Sequence, residues 1–267
     1  MPSSNKRQLS TTAITYIALG ITLITVMTIV GMSAFMQLRV IVVEDVPSSV
    51  ADEIIEASGI SIGDNLFFTN SHNISQNIQN AIPFVNSAQV TRILPDTINI
   101  KIVKSDPVAT ITVSGEVYLI DATGRVLEYA RVGTPLVSDV NISDLIEIRG
   151  VDVDTVGTTA GGPIRPVFGT ETRHQHMLDI LEILDSEDLL HLVSYIDVSN
   201  IVNVHFGFMN IYRVILGGGT NLRQTNLRHN ISGLSEYVEQ VIEIFPNTPG
   251  DIDMSNEVGP PTFRRPD

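Results

Sequence analysis

Twenty-six consecutive residues, Thr11 to Met36, carry no charge. As a helix rising ~1.5 Å per residue the stretch is roughly 39 Å long, more than the ~30 Å hydrocarbon core of a bilayer. A secretory leader has an apolar region of only ~7–15 residues before a small-x-small cleavage site. Gly31-Met32-Ser33 loosely fits such a site, but the run before it is too long, so the sequence predicts an uncleaved transmembrane helix over 11–36. Threonines at 11, 12, 15, 22, 25 and 28 are tolerable there, because a helical hydroxyl can bond the carbonyl four residues back. Lys6 and Arg7 precede the span; Arg39 follows it, then Glu44, Asp45, Asp52 and Glu53. Bases stay on the cytoplasmic side, which places a short head, 1–10, inside and residues 39–267 outside.

Charge narrows what the outer part can do. Thirty acids against 16 bases give a net charge of −14. That disfavours binding to a phosphate backbone, which needs a basic surface. The chain has no cysteine, which excludes a disulfide scaffold, a thiolate zinc site and a Cys nucleophile, and leaves the compartment open.

The first outer module reads β-α-α-β-β. Residues 40–46 are β-branched and extended. Pro47-Ser48-Ser49 opens a helix with Ser as N-cap and Asp52 and Glu53 in its first turn. Val50, Ile54 and Ile55 form the apolar side, and Gly59 is the stop. A second helix carries Ile74, Ile78 and Ile82 at steps of four, ended by Pro83. Strands over 85–94 and 97–103 flank a Pro95-Asp96 turn. In the second of them Ile98, Ile100 and Ile102 alternate with Thr97, Asn99 and Lys101.

The second outer module is β-rich. Strands over 116–120 and 125–129 flank a hairpin at Asp121-Ala122-Thr123-Gly124, and another strand spans 146–151. Residues 155–170 read as a loop and 171–184 as a helix with Met177, Leu181 and Leu184 on one side. A strand over 193–198 precedes the alternating Val202, Val204 and Phe206, and 211–216 returns. Leu227, Ile231, Leu234, Val238, Val241 and Phe245 define one long apolar helical stripe. Asp251 to Ser255 is the last strand, and 256–267, with three prolines and Gly259, is a loose tail.

Candidate chemistry is sparse. His174, His176 and Asp179 lack the i, i+4 spacing of a helical metal pair, so they read as a polar face. Gly217-Gly218-Gly219-Thr220 lacks the phosphate-loop lysine. Ser61 in Gly59-Ile60-Ser61-Ile62-Gly63 has nucleophile-elbow spacing, but a helix precedes it where a strand is required. Ser3 and Lys6 fit a Ser-x-x-Lys pattern in the short head. Asp121 reads as the Asx residue of its turn, and Asp152 and Asp154 as solvated loop acids. Asn73, Asn141 and Asn230 open N-x-S sequons. These residues give no catalytic constellation and call for no metal, cofactor or small-molecule substrate.

The order of short motifs resembles the FtsQ/DivIB family of bacterial cell-division proteins. The matching pieces are Gly63-Asp64-Asn65-Leu66-Phe67, Leu94-Pro95-Asp96-Thr97-Ile98-Asn99-Ile100, Pro107-Val108-Ala109 and Tyr118-Leu119-Ile120-Asp121-Ala122-Thr123-Gly124-Arg125-Val126. Tyr195-Ile196-Asp197-Val198-Ser199, Leu216-Gly217-Gly218 and Gly250-Asp251-Ile252-Asp253-Met254-Ser255 continue the series. The chain departs from the pattern at Lys104-Ser105 and Glu44-Asp45. The resemblance implies an α+β protein with one transmembrane helix (11–36), a POTRA domain (39–109), a β domain (110–255) and a flexible tail (256–267). It implies a non-enzymatic scaffold at the division septum that holds FtsL-like and FtsB/DivIC-like single-span coiled-coil partners. The implied partner site is the last strand, Asp251, Ile252, Asp253, Met254 and Ser255, whose open edge would accept a partner strand. A membrane-anchored cell-wall enzyme and a POTRA-type chaperone or receptor are the alternatives.

Overall fold

The computed structural model describes residues 11–136, 138, 140–256 and 260–265. The uncharged stretch forms α1 (Thr11–Phe35). Its window Thr12–Ile29 is long and apolar enough to cross a membrane, and no part of that window is buried in the protein. Thr22, Thr25 and Thr28 donate their hydroxyls to the carbonyls of Ala18, Ile21 and Ile24 at 2.8–2.9 Å. The head 1–10, including Ser3, Lys6 and Arg7, lies outside the described residues.

Beyond the anchor the chain divides into two compact units. One runs up to Gln79 and includes Ser87–Val103; the other comprises Asn80–Asn86 and Lys104 onward. The first holds β1 (Val40–Glu44), α2 (Ser48–Ser58), α3 (Ser71–Ala81), β2 (Val85–Ile93) and β3 (Thr97–Lys104), in the expected β-α-α-β-β order. The strands lie in the order β1-β3-β2, with β1 parallel to β3. Ile54, Ile74, Ile78, Ile98, Ile100 and Ile102 form its core, each contributing roughly 1.5–3 kcal/mol by leaving water. Helix α2 starts at Ser48 with Pro47 at the cap position, so Asp52 and Glu53 fall past its first turn rather than within it.

The second unit contains β4 (Ala109–Val113), β5 (Glu116–Ile120), β6 (Val126–Arg131), β7 (Ile146–Arg149), α4 (Glu171–Ser186), β8 (Val193–Asp197) and β9 (Val204–Phe208). It continues with β10 (Tyr212–Gly217), α5 (Gln224–Ser232), α6 (Leu234–Ile244), β11 (Gly250–Asp253) and β12 (Thr262–Arg264). Among the described residues these strands make one nine-stranded sheet, ordered β12-β11-β10-β9-β8-β7-β4-β5-β6. The parallel pairs β4/β7, β7/β8 and β10/β11 need long returns; β5 and β6 lie in the first, α4 in the second and α5 with α6 in the third. Their apolar sides join Ile148, Ile196, Phe206, Val214 and Ile252 in a single core.

Three expectations change here. The stripe from Leu227 to Val241 is buried but belongs to two helices that meet at Gly233. Glycine is a poor helix former, and its amide reaches the carbonyls of both His229 and Ile231. Val202 does not join the alternation with Val204; it lies in a turn and is exposed. Within the tail, residues 262–264 are not loose but form β12.

Candidate partner-binding edge of the outer sheet

Strand β11 carries three of the five residues singled out from the sequence, Asp251, Ile252 and Asp253; it stops there rather than at Ser255, and Met254 and Ser255 follow it. It runs parallel to β10, and the amides of Gly250 and Met254 donate to the carbonyls of Ile211 and Ile215. Ile252 and Met254 are buried. Asp251 and Asp253 lie on the other side of the strand and are partly exposed. Asp253 Oδ1 accepts from the amide and hydroxyl of Ser255 at 3.0 and 2.6 Å. All five residues therefore fall on one short segment, two anchored in the core and two on the sheet's open face.

The expected open edge is not at β11. Strand β12 pairs antiparallel against it, matching Asp251 with Arg264, Ile252 with Phe263 and Asp253 with Thr262. The reason is tertiary. Phe263 stacks on Phe245 at 5.4 Å and meets Tyr212 edge-on at 6.2 Å, geometries that stabilise ring pairs beyond burial alone. Arg264 Nη2 donates to Asp253 Oδ2 at 3.2 Å, and the Arg265 guanidinium lies 4.4 Å from the Phe245 ring centre. Gly250 makes the approach possible: a Cβ there would sit 2.4 Å from the Phe263 ring and 2.6 Å from the Arg264 carbonyl. Gly250 and Asp253 stand in a short motif but their partners Tyr212, Phe245, Phe263, Arg264 and Arg265 do not; the isolated Phe263 in a proline-flanked stretch is what could have signalled a docked strand.

On the open face, Tyr195, Gly207, Arg213, Asp251 and Arg264 are successive cross-strand partners from β8 to β12. The Tyr195 ring lies against Gly207, where a Cβ would meet it at 2.5 Å, and a depression of about 750 Å³ is lined by Tyr195, Gly207, Arg213, Asp251, Arg264 and Arg265 among others. Arg213 Nε donates to Asp251 Oδ1 at 3.0 Å and its second nitrogen pairs with Oδ2, which raises the guanidinium's pKa further. Arg149 lies 4.3 Å over the Tyr195 ring, and burial pushes the Tyr195 hydroxyl up. A chain of net charge −14 thus gathers three arginines at this end of its sheet, Arg213 paired with Asp251, Arg264 with Asp253 and Arg265 over the Phe245 ring. The arrangement can recognise an extended acidic segment, main chain to main chain and carboxylate to guanidinium.

Of the other candidates in this unit, Asn230 reaches the segment through the Met254 carbonyl, and none lines the depression. His174 and His176 lie on α4, and burial lowers both imidazole pKa values. Among the described residues no group of three His, Asp or Glu could hold a metal ion. Asp121 fixes its hairpin by accepting from the amides of Thr123 and Arg125 at 2.9 and 3.0 Å, as read from the sequence, and takes the Ser105 hydroxyl at 2.5 Å. Ser61 lies in the turn after α2, its amide bonded to Asp64. Asp152 pairs with Arg173 at 3.6 Å, and Asp154 accepts from the Val156 amide. Of the sequon residues, Asn73 sits within α3, Asn141 caps a 3-10 turn, and Asn230 lies in α5 and donates to the Met254 carbonyl.

An apolar anchor helix, a β-α-α-β-β unit directly after it and a β-rich unit beyond define a membrane-anchored POTRA protein. Residues 36–104 match the family model described as POTRA domain, FtsQ-type. A cell division protein DivIB from Clostridium tetani is 26% identical over 189 residues, 70% of this chain and 66% of the relative. A cell division protein FtsQ from Corynebacterium glutamicum is 30% identical over 139 residues, 52% of this chain and 59% of the relative. One from Geotalea daltonii is 29% identical over 121 residues, 44% and 43% of the two chains. The chain thus spans less than two thirds of the length of these relatives. Over these stretches the chain is similar to cell division proteins of the FtsQ/DivIB type.

Proposed function

We propose that the chain is a non-enzymatic scaffold of the divisome. In this reading residues 1–10 are cytoplasmic, α1 spans the cell membrane, and modules 39–109 and 110–255 act outside it at the septum. The second module holds FtsL-like and FtsB/DivIC-like partners and so links early and late division proteins. A partner strand pairs with Asp251–Ser255 in the position that β12 occupies, its acids meeting Arg213. The supporting observation is β12 itself. Three residues of the chain's own tail already pair with β11, so the slot accepts an extended segment, and so short a strand offers few hydrogen bonds against a longer competitor.

Capture from native membranes with the tagged full-length chain tests the role. Small single-span coiled-coil proteins should be recovered with septal wall synthases; recovery of abundant envelope proteins alone would overturn it. A chain ending at Ser255 tests the slot. Removing the internal competitor should strengthen partner capture several-fold, because a site that is only fractionally open binds in proportion to its open fraction. Capture lost on truncation would move the site to the outer side of β12, and unchanged capture would remove it from this edge.

A further inference from the structure

The first unit exposes its apolar side chains unevenly. Beyond the anchor helix, Ile62, Phe67, Phe68, Ile93 and Leu94 are 64, 66, 75, 51 and 61% exposed. The other large apolar residues exposed in this unit, Val40, Val42 and Val103, reach only 46, 40 and 38%. The two groups differ in place as well as degree. Ile62, Phe67 and Phe68 lie on the loop between α2 and α3, and Ile93 and Leu94 at the tip of the β2–β3 hairpin.

Main-chain bonds tie both tips to the residues just past the anchor. Gln37 bridges to Asn65. Leu66 N donates to Met36 O, Leu38 N to Asp64 O and Gly63 N to Leu38 O, at 2.7–2.8 Å. The amides of Arg39 and Val40 both donate to Asp96 O, at 2.8 and 3.2 Å. Arg92 joins the tips, its Nη1 donating to Leu66 O at 3.0 Å. Phe67 and Phe68 thus stand within two residues of Met36 along an antiparallel pairing, and Met36 follows Phe35, the last residue of α1, which is itself 80% exposed. Leu66, between them and the core, is 1% exposed, so the two rings point away from the unit. Exposed Arg39 and Arg92 lie at the same end. Its acids Asp64 and Asp96 are engaged in local turns, Asp64 with the Ser61 amide and Asp96 with the Thr97 hydroxyl.

We infer that this end of the first unit is a membrane-docking surface: Phe67, Phe68 and the Leu94 tip sit in the headgroup–acyl boundary of the bilayer that α1 crosses. The occupant follows from the pairing. A loop bonded to the first residues beyond a spanning helix is held at the level where that helix leaves the hydrocarbon, where aromatic side chains partition favourably and arginines reach lipid phosphates. The inference rests on α1 spanning the bilayer and on nothing about the division role.

The chain contains no tryptophan, so a single Phe68→Trp reports without background. The full-length variant is reconstituted into phosphatidylcholine–phosphatidylglycerol vesicles, flotation first confirming that the anchor is inserted. With brominated acyl chains Phe68→Trp should lose roughly half or more of its emission, as an interfacial tryptophan does when it contacts the acyl region. Leu94→Trp should behave alike and covers the case in which one variant fails to fold. Val103→Trp, roughly 20 Å along β3 from the hairpin at ~3.3 Å per residue, should keep its emission. Floated protein in which Phe68→Trp and Leu94→Trp are as unquenched as Val103→Trp would overturn the docking while leaving the anchor intact. Shielding that appears only in native membranes would equally overturn it, by assigning the surface to a protein partner.

Discussion

The nine-stranded sheet is finished in different ways at its two ends. At β6, residues from a glycine-rich loop cover the strand's start with main-chain bonds: Val126 N donates to Gly162 O and Gly161 N to Val126 O, both at 2.8 Å. Arg125 bridges to Pro163 and its Nε donates to Gly161 O. Further along, Glu128 takes the Ser138 amide and hydroxyl. At the opposite end, β11 is covered by a three-residue strand clamped by one ring, Phe263, between Tyr212 and Phe245. Both devices hide an edge that would otherwise pair indiscriminately. The β6 guard is part of a loop bonded to the strand at several points; the β11 guard is a separate three-residue strand.

The contrast can be broken by substitution. Gly250→Val should act most strongly, because its side chain would occupy the space of the Phe263 ring and the Arg264 carbonyl. Overpacking of this kind costs about 1–3 kcal/mol, and hydrogen exchange should show the amides of Asp251 and Asp253 losing protection while Val126 keeps it. Phe263→Ala should release β12 at a cost of roughly 1–2 kcal/mol for a half-buried ring and its two aromatic contacts, read as a lower thermal midpoint of the intact chain. Arg264→Ala, which removes an exposed pair with Asp253, should cost only about 0.2–1 kcal/mol and lose even that at high salt.

The smallest effect sharpens the β6 side. His174 is bonded to the backbone of Ile164, and burial lowers its pKa despite that bond; Ile164 N in turn donates to Gly124 O, just before β6. A lowered imidazole pKa means that the folded chain favours the neutral ring. The associated stability is complete above the unfolded value near 6.5 and is lost as pH falls through the lower folded value. Mild acid should therefore loosen the β6 guard before the β12 clamp, and His174→Gln should abolish the difference in a pH series of exchange rates.

The first unit was legible because its apolar residues recur at helical and strand spacings that the packing then uses, as Ile74 and Ile78 on α3 and Ile98, Ile100 and Ile102 on β3 show. The anchor was legible from the absence of charge alone. Strand β12 was not: a three-residue strand has no periodicity to detect, and its position depends on Phe245 and Tyr212, distant in sequence. The division of the late helix escaped for the opposite reason, since the stripe from Leu227 to Val241 continues across Gly233 although the helix does not. Of the candidate edge, β11 could be read from its motif and its neighbours could not. Arg213 meets Asp251, and Arg264 meets Asp253, only through strand register.

The parallel pairing of β1 with β3 has a mechanical consequence. The anchor enters the first unit at the start of β1, and the chain leaves it for the second unit after the far end of β3. Five residue pairs, from Val40–Thr97 to Glu44–Lys101, connect the two strands. A pull between membrane and second unit therefore runs along both strands in opposite senses and shears the ladder, loading all five pairs together instead of peeling them one at a time. Since forced unfolding is governed by the unfolding rate rather than by equilibrium stability, the resistance of this small sheet to such a pull depends on how slowly the five pairs give way together.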